Sequence, residues 1–556
     1  MSLPATRLFA AALLLLGGTA HAQAPADKTT TTVEKKAEEG PKLPPLPADK
    51  SIPQSARIGG RAISYRATVG TIPVRDDKGK EIGQVTYTAY TVPGSDPARP
   101  VTFAFNGGPG AASVYLNLGA VGPKRIQFGA QGDAPSDAPI ARDNPNSWLD
   151  FTDLVFIDPV GTGFSRSLVD EAETKKAFYA NDPDIKYLSK VVYDWLVKEG
   201  RLRSPKYLMG ESYGGYRAPR IAYELQSQIG VGITGLIMVS PYLDPASGDG
   251  ATALSPLPWM IDLPSMAAAN LERQHRLTPA AMAEVEAYTR GDFARDLLRG
   301  RSDPEATNRV VARVTDLTGL DPALVRRLGG RVDSRTYLRE IHRADGTIGS
   351  VYDSNVTAFD PFPWSAQQQS NDPILDALIA PTTSAMVDFV TREVGWKTDA
   401  RYNALSYAVN SAWDRGKPND SPVTDLRKAI ANDPKMRVLI VHGWDDLSCP
   451  FFASRLIVDQ MPAFGQAERV QLRVYAGGHM FYSRGDSAQQ FRREIFVAQA
   501  TPWVCTECIA AVNFRANTVK TTHQYTSTFV SIVLGVIRRC KTLNGYARNT
   551  LQSFGN

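Results

Sequence analysis

Residues Lys206 to Arg217, KYLMGESYGGYR, constrain this chain more than any other stretch, because the apolar pattern changes period within a few residues. Tyr207, Leu208 and Met209 form a short apolar run that predicts a buried strand, and APRIAYELQSQ after the glycines sets Ile221 and Leu225 at helical spacing. A strand that turns into a helix across Gly210-Glu211-Ser212-Tyr213-Gly214 must crowd backbone against backbone. A glycine on each side of Ser212 permits that, and the hydroxyl is thrust out above the sheet. Two readings stand here: a turn that presents a reactive serine, and a plain Gly/Ser turn whose serine is incidental.

The rest of the chain bears on that choice. At 556 residues, 43% hydrophobic and 21% charged, it is long enough for a large core with a sizeable insertion. Residues 499–556 hold six basic side chains and only one acidic one, Glu507, which accounts for the whole formal charge of +5 and leaves the first 498 residues neutral. Binding to nucleic acid calls for a basic stripe on the folded part, so that partner class is excluded. Arg7, the apolar run LFAAALLLLGG and Ala20-His21-Ala22 read as an export signal with an A-x-A cleavage site, which predicts a periplasmic or secreted protein that leaves the membrane once the signal is removed. The run is too short for a permanent span. Four cysteines, none between the signal and Cys449, leave the main fold to its core rather than to crosslinks.

Taken in order, residues 23–50 are rich in Ala, Pro, Lys, Glu and Thr and read as a flexible tether. RAISYRATVGTIPV and KEIGQVTYTAYTV alternate around the turn Arg75 to Gly79 and predict an antiparallel hairpin. VTFAF at Val101–Phe105 is a strand that runs into Asn106-Gly107-Gly108-Pro109-Gly110. This loop is either an ordinary turn or a run of exposed N–H groups for an oxyanion, and its place at a strand end upstream of the serine favours the second. DLVFID predicts another strand, and the glycine turn after it, Pro159 to Ser165, lacks the G-K-[ST] of a phosphate loop. An amphipathic helix over 183–199 leads to the elbow strand, GLIMVSPYL follows it, and RVLIVHGWDD and VQLRVYAGGHMFY resume the alternation near the end. Strands alternating with helices predict an α/β fold with a mostly parallel central sheet.

Between about Pro245 and Ala404 the alternation stops, and capped helices such as those after Thr278-Pro279 and Asp321-Pro322, each with a glycine stop, predict a helical insertion. Its aromatic stretches SPLPWMIDLP and DPFPWS either line a pocket over the serine or pack the insertion on the sheet. The expected boundaries are therefore a signal at 1–22, a tether at 23–50, a catalytic domain at 51–245 and 405–498, an insertion at 246–404, and an atypical extension at 499–556.

A serine nucleophile needs a histidine to take its proton and a carboxylate to hold the ring. Of six histidines, His21 lies in the signal, His275 and His342 in the insertion, His442 inside an apolar strand and His523 in the extension. His479 alone follows a strand downstream of the elbow, in the glycine-rich loop AGGHM. Asp445 and Asp446 both end the preceding strand and both qualify as the acid. The order Ser, Asp, His is the one this arrangement requires.

GESYGG around Ser212, FNGGPGAAS at Phe105–Ser113, DPVGTGFS at Asp158–Ser165, HGWDDLSC near Asp446 and GGHM at His479 together resemble the serine carboxypeptidase family of α/β-hydrolases, in a bacterial-type member, over roughly Ser51 to Val497. The resemblance implies an α/β-hydrolase fold with an N-terminal hairpin and a helical cap, and removal of C-terminal residues from peptide substrates without cofactor or metal. It implies Ser212 as nucleophile, His479 as base and Asp446, three residues before Cys449, as acid. The oxyanion donors fall on the N–H groups of Gly108 and Tyr213, and recognition of the substrate carboxylate on Asn106, Gly107 and Glu211. A carboxyl in that last role must share a proton with the substrate, which favours acidic pH. The family's tryptophan and second acid are Ala104 and Ala120 here, so half of the carboxylate network is replaced. An esterase, amidase or acyltransferase with the same triad is the rival within enzymes, and a silent peptide-binding protein the rival outside them. Cys505, Cys508, His523 and Cys540 have no zinc-site spacing and read as a local disulfide or a poorly ordered extension.

Overall fold

The computed structural model describes residues 43–500 apart from short segments at 95, 97, 127–139, 244–254, 366–367, 370–371, 417–420 and 466. The expected export signal, most of the tether, and the cysteines and His523 beyond residue 500 lie outside the described residues.

Nine strands carry the main sheet: β1 (Lys50–Ile58), β2 (Arg61–Arg75), β3 (Glu81–Thr91), β4 (Val101–Phe105), β5 (Asp153–Ile157), β6 (Lys206–Glu211), β7 (Gly235–Val239), β8 (Arg437–Gly443) and β9 (Val470–Tyr475). They lie in the order β1-β2-β3-β5-β4-β6-β7-β8-β9, and Arg166–Ser167 adds a short tenth strand on β3. β1 to β3 form an antiparallel meander that joins β5 antiparallel, and every pairing from β5 to β9 is parallel. The chain steps outward from β4 to β5, then returns to place β6 on the other side of β4. That reversal opens a crevice beyond the carboxyl ends of β4 and β6, the place where ligands bind in sheets of this kind.

The strands read as unbroken apolar runs because both faces are covered. In β5, Leu154 and Phe156 point into one core and Val155 and Ile157 into the other; β7 divides the same way, Ile237 and Val239 against Leu236 and Met238. Helix α1 (Asn181–Lys198) covers one face with Leu188, Val192 and Trp195, beside Ile221 of α2 (Tyr213–Glu224) and Leu426 and Ile430 of the helix Pro422–Asn432. Trp148, Phe389, Trp396 and Phe491 cover the other.

The sequence predicts one N-terminal hairpin, and the structure adds β1 alongside it, from Lys50 opposite Val69 to Ile58 opposite Arg61. KSIPQSARI carries a proline, which an edge strand tolerates because only one of its sides is paired. Just before β1, Asp49 accepts hydrogen bonds from Tyr87 Oη (2.8 Å) and Thr71 N (3.1 Å) and meets Lys198, so the expected tether is pinned at its end.

Described residues between 246 and 404 form helices and one small hairpin, Thr347–Gly349 with Thr357–Phe359, and none joins the main sheet. Thr278 and Asp321 accept the N-terminal hydrogen bonds expected of caps, from Ala281 N (3.1 Å) and Leu324 N (2.9 Å). The glycine stop at Gly291 does not occur: a wide turn, Thr289–Phe293, carries the helix on to Leu298. Burial of Phe293 and Leu297 outweighs the cost of about 1 kcal/mol for a glycine in a helix. SPLPWMIDLP is also helical, from Leu257 onward in α3 (Leu257–Arg273), and it packs Met260 and Leu263 against Leu447, Phe451 and Phe452. That packing joins the stretch to the segment after β8, whereas Trp364 of DPFPWS is 78% exposed.

Candidate active site

Register brings the candidate residues together. Phe105 pairs with Gly210, Val239 with both Glu211 and Val441, and Gly443 with Tyr475, so β4, β6 and β7 end close together, β8 and β9 run slightly further, and the residues that follow them share one edge of the sheet.

At the end of β6, Ser212 has φ 60° and ψ −122°, a left-handed backbone that L-residues avoid at a cost of order 1–3 kcal/mol. Neighbours hold it there: its N–H donates to Val239 O (3.0 Å) and its carbonyl accepts from Gly215 N (2.8 Å) and Tyr242 N (3.0 Å). The flanking glycines are sterically required. A Cβ on Gly210 would stand 1.9 Å from Gly214 O, and one on Gly214 would stand 2.2 Å from Phe105 O. A Cβ on Gly107 would lie 2.5 Å from Tyr213 N, so the glycine loop after β4 presses directly on the elbow. Tyr213 opens α2, and its N–H has no carbonyl within the helix to reach.

After β8 the chain presents two adjacent carboxyls that diverge. Asp446 Oδ2 lies 2.8 Å from Nδ1 of His479, while Oδ1 accepts from Ser448 N (2.8 Å) and Cys449 N (2.9 Å). Asp445 turns away toward Glu272 and Arg484. The His479 loop is fixed from three sides: its N–H donates to Tyr352 O (2.5 Å), its carbonyl accepts from Ser240 Oγ (2.9 Å), and the Tyr352 ring meets the imidazole edge-on at 5.1 Å. Burial alone would lower the His479 pKa; the Asp446 carboxylate and its hydrogen bond, with Glu211 beyond, outweigh that and hold it above its ordinary value.

Ser212 lies against the buried thiol of Cys449, whose pKa burial pushes up. Among the described residues no hydrogen bond joins Ser212 Oγ to the His479 ring. His442, expected as a core histidine, is fully buried between Cys449 O (3.1 Å) and Ser454 Oγ (2.9 Å). Burial pushes it down to about 4, so it stays neutral and braces the loop that carries Asp446.

Glu211, directly before Ser212, is buried and receives hydrogen bonds from Tyr482 Oη (2.7 Å) and the Asn106 side chain. Asn106 is oriented by Leu116 N, which donates to its Oδ1 at 2.9 Å. Burial pushes the Glu211 carboxyl up to about 7, against the opposing pull of His479 and these hydrogen bonds. Among the described hydrogen bonds of Glu211 none comes from a second carboxyl.

Sequence reasoning missed two parts of this edge. Tyr482 lies three residues after His479 in the short turn Phe481–Ser483, and only its position in AGGHMFY hinted at a role. The other is a brace beneath the elbow. Arg217 and Asp184, both fully buried, pair at 2.7 Å, and Arg217 Nη1 donates to Asn106 O (2.8 Å). The same guanidinium lies 4.9 Å from the Tyr213 ring centre, whose hydroxyl donates to Asn181 Oδ1 (2.6 Å). One side chain thus ties α1, the elbow helix and the glycine loop.

Residues 64–274 match the family model described as serine carboxypeptidase. The pheromone-processing carboxypeptidase KEX1 of Yarrowia lipolytica is 34% identical over 151 residues, 27% of this chain and 23% of that protein. The vitellogenic carboxypeptidase of Aedes aegypti is 29% identical over 150 residues, 26% of this chain and 29% of that protein. The chain thus spans about a quarter of the length of the curated relatives it matches. The crystal structure of Kex1(delta)p, a prohormone-processing carboxypeptidase from Saccharomyces cerevisiae, shares the fold with a TM-score of 0.51 and 16% identity, over 78% of this chain and 91% of that one. All three relatives are eukaryotic and lend the bacterial-type expectation no support. The fold of this chain is that of the α/β-hydrolases, and over residues 64–274 it is similar to the serine carboxypeptidase family.

Proposed function

We propose that this chain is an exported serine carboxypeptidase that removes C-terminal residues from peptides through an acyl-enzyme. Ser212 Oγ attacks the carbonyl carbon of the last peptide bond as His479 Nε2 takes its proton, and Asp446 fixes the ring tautomer and stabilises the imidazolium. The oxyanion rests on the N–H groups of Gly108 and Tyr213. His479 then returns the proton to the departing amine, and water repeats the cycle on the acyl-enzyme. The hydrogen bond between Ser212 and His479 forms with substrate in place, as such contacts tighten in the reactive complex.

The observation that carries the exopeptidase reading is the buried Glu211 carboxyl, one residue from Ser212 and held by Tyr482 and Asn106. Protonated, it donates to a substrate carboxylate, with Asn106 and the Gly107 N–H as further donors. Export rests on the signal-like first 22 residues, and the catalytic domain spans 51–245 and 405–498 around the insertion. A second reading, an esterase or amidase that reads no carboxylate, is favoured by the missing second acid at Ala120. Mass spectrometry of N-acyl dipeptides and their C-terminal amides separates the two. Cleavage of the free acids at least tenfold faster supports the carboxypeptidase, and equal cleavage supports the rival. Covalent labelling by a fluorophosphonate, abolished in Ser212→Ala, tests the nucleophile; a wild-type protein that does not label excludes it.

A further inference from the structure

Beside the site, on the side of the insertion, three carboxyls surround one guanidinium. Arg484, five residues after His479, meets both carboxylate oxygens of Glu272, one directly and the other at 3.2 Å, and reaches Asp353 Oδ2 at 2.8 Å and Asp445 Oδ2 at 3.5 Å. Glu272 lies in the last turn of α3, Asp353 in the insertion, Asp445 at the end of β8 and Arg484 in the histidine loop.

Charge does not balance there if every group is ionised, because one positive charge faces three negative ones in a buried place. Asp445 is fully buried, and among the described residues no N–H donates a hydrogen bond to either of its carboxyl oxygens. Its carboxyl instead lies within hydrogen-bond reach of the Glu272 carboxyl, an arrangement that two carboxylates do not adopt without a proton between them. Burial, Asp353 and Glu272 together push Asp445 well above its ordinary range. Glu272, although burial opposes it, is held down to about 2 by its bonds from Asp445 and Arg484. Burial pushes Asp353 up as well, but Arg484 beside it opposes that, so the proton falls to Asp445, which donates it toward Glu272.

The same elements touch the reacting groups. Ser354 N donates to Asp445 O (3.3 Å) and Leu447 N to Val351 O (3.0 Å), and between them Tyr352 supplies the carbonyl and the ring that hold His479. We propose that Glu272, Asp353, Asp445 and Arg484 form a proton-held clamp that seats the insertion segment 350–356 on the loops of Asp446 and His479. These four are positioning residues, and their role in turnover rests on the reading of Asp446 and His479 as acid and base. Among the described residues, the other charged or titratable groups facing the cluster and segment 350–356 are Arg273, engaged with Asn355 and Tyr337; Tyr337 itself; His342, whose ring meets Ser354 O; Asp372, which accepts from Ser350 Oγ and from Val351 N (2.9 Å); and Asp446 and His479.

The folded state binds a proton at Asp445 that the unfolded chain has released, so the clamp weakens as pH rises through the folded-state value. Once Asp445 ionises, two negative charges go uncompensated and segment 350–356 withdraws from His479.

Amide hydrogen exchange of 350–356, corrected for intrinsic rates and followed from pH 5 to 9 beside kcat, tests the clamp in wild type, Asp445→Asn and Glu272→Gln. Either amide supplies the bridging N–H at every pH. Protection in the wild type falls at least tenfold with rising pH and kcat falls with it, while both variants keep their protection and carry the alkaline loss of kcat to higher pH. Wild-type protection that does not change with pH, or variants whose profiles match the wild type, overturns the clamp. Exchange is read without turnover, so a failure of the peptidase reading leaves this result standing on its own.

Discussion

Tyr482 donates its phenolic proton to Glu211 across 2.7 Å although 271 residues separate the two. The bond reaches the residue beside Ser212 from the loop that carries His479, and it ties together the ends of β6 and β9.

Removing that bond gives the first prediction. A hydrogen bond to an ionisable group is worth about 1.5–3 kcal/mol, or roughly ten- to a hundredfold. Tyr482→Phe lowers kcat/KM for an N-acyl dipeptide by that factor, mostly through KM, and leaves small ester substrates within about twofold. Steady-state kinetics on the two substrate types provide the check, and an equal loss on both counts against the role.

The second concerns pH. With Glu211 pushed up to about 7, its carboxyl is protonated below that value and able to donate to a substrate carboxylate. kcat/KM for free-acid peptides therefore falls as pH rises through about 7, whereas cleavage of the amides does not follow. Glu211→Gln removes this limb. It also removes a negative charge that helps hold His479 above its ordinary value, so the acid limb set by the base moves to lower pH. Full pH profiles of the two enzymes on one dipeptide test both shifts.

The third distinguishes the adjacent aspartates. Asp446→Asn deprives His479 of the carboxylate that orients it and lowers kcat by about 10³–10⁴-fold with little change in KM. Asp445→Asn, which imitates the protonated carboxyl, keeps activity within severalfold at pH 6. Single-turnover acylation of the two variants compares them directly.

The fourth concerns the brace. Asp184→Asn leaves Arg217 without its buried partner and costs about 3–5 kcal/mol of stability. Thermal unfolding at several scan rates measures that loss. Because Arg217 also fixes the Asn106 carbonyl, the variant that remains folded shows a lower kcat with less change in KM.

The parts of the site that sequence revealed are those made by local pattern. The glycines around Ser212 announce a turn that no larger residue tolerates, and the apolar runs that end at Asn106, Asp445 and Gly477 announce strands with loops at their carboxyl ends. Gly291, by contrast, misled as a helix stop, since the burial of Phe293 and Leu297 lies outside any local rule.

Sequence by itself determined the alternation of buried strands and helices, and the candidacy of Ser212, His479 and both Asp445 and Asp446 in that fold. The resemblance pointed to Asp446, and the tertiary structure shows Asp446 rather than Asp445 against His479, since which carboxyl faces that ring depends on how the loop after β8 is folded by Ser448, Cys449 and the insertion. The tertiary structure alone brought Tyr482 to Glu211, Tyr352 to His479 and Arg217 to Asn106. Patterns along a chain encode backbone conformation and burial; a contact between residues hundreds of positions apart exists only once the parallel register has brought the strand ends to one edge of the sheet.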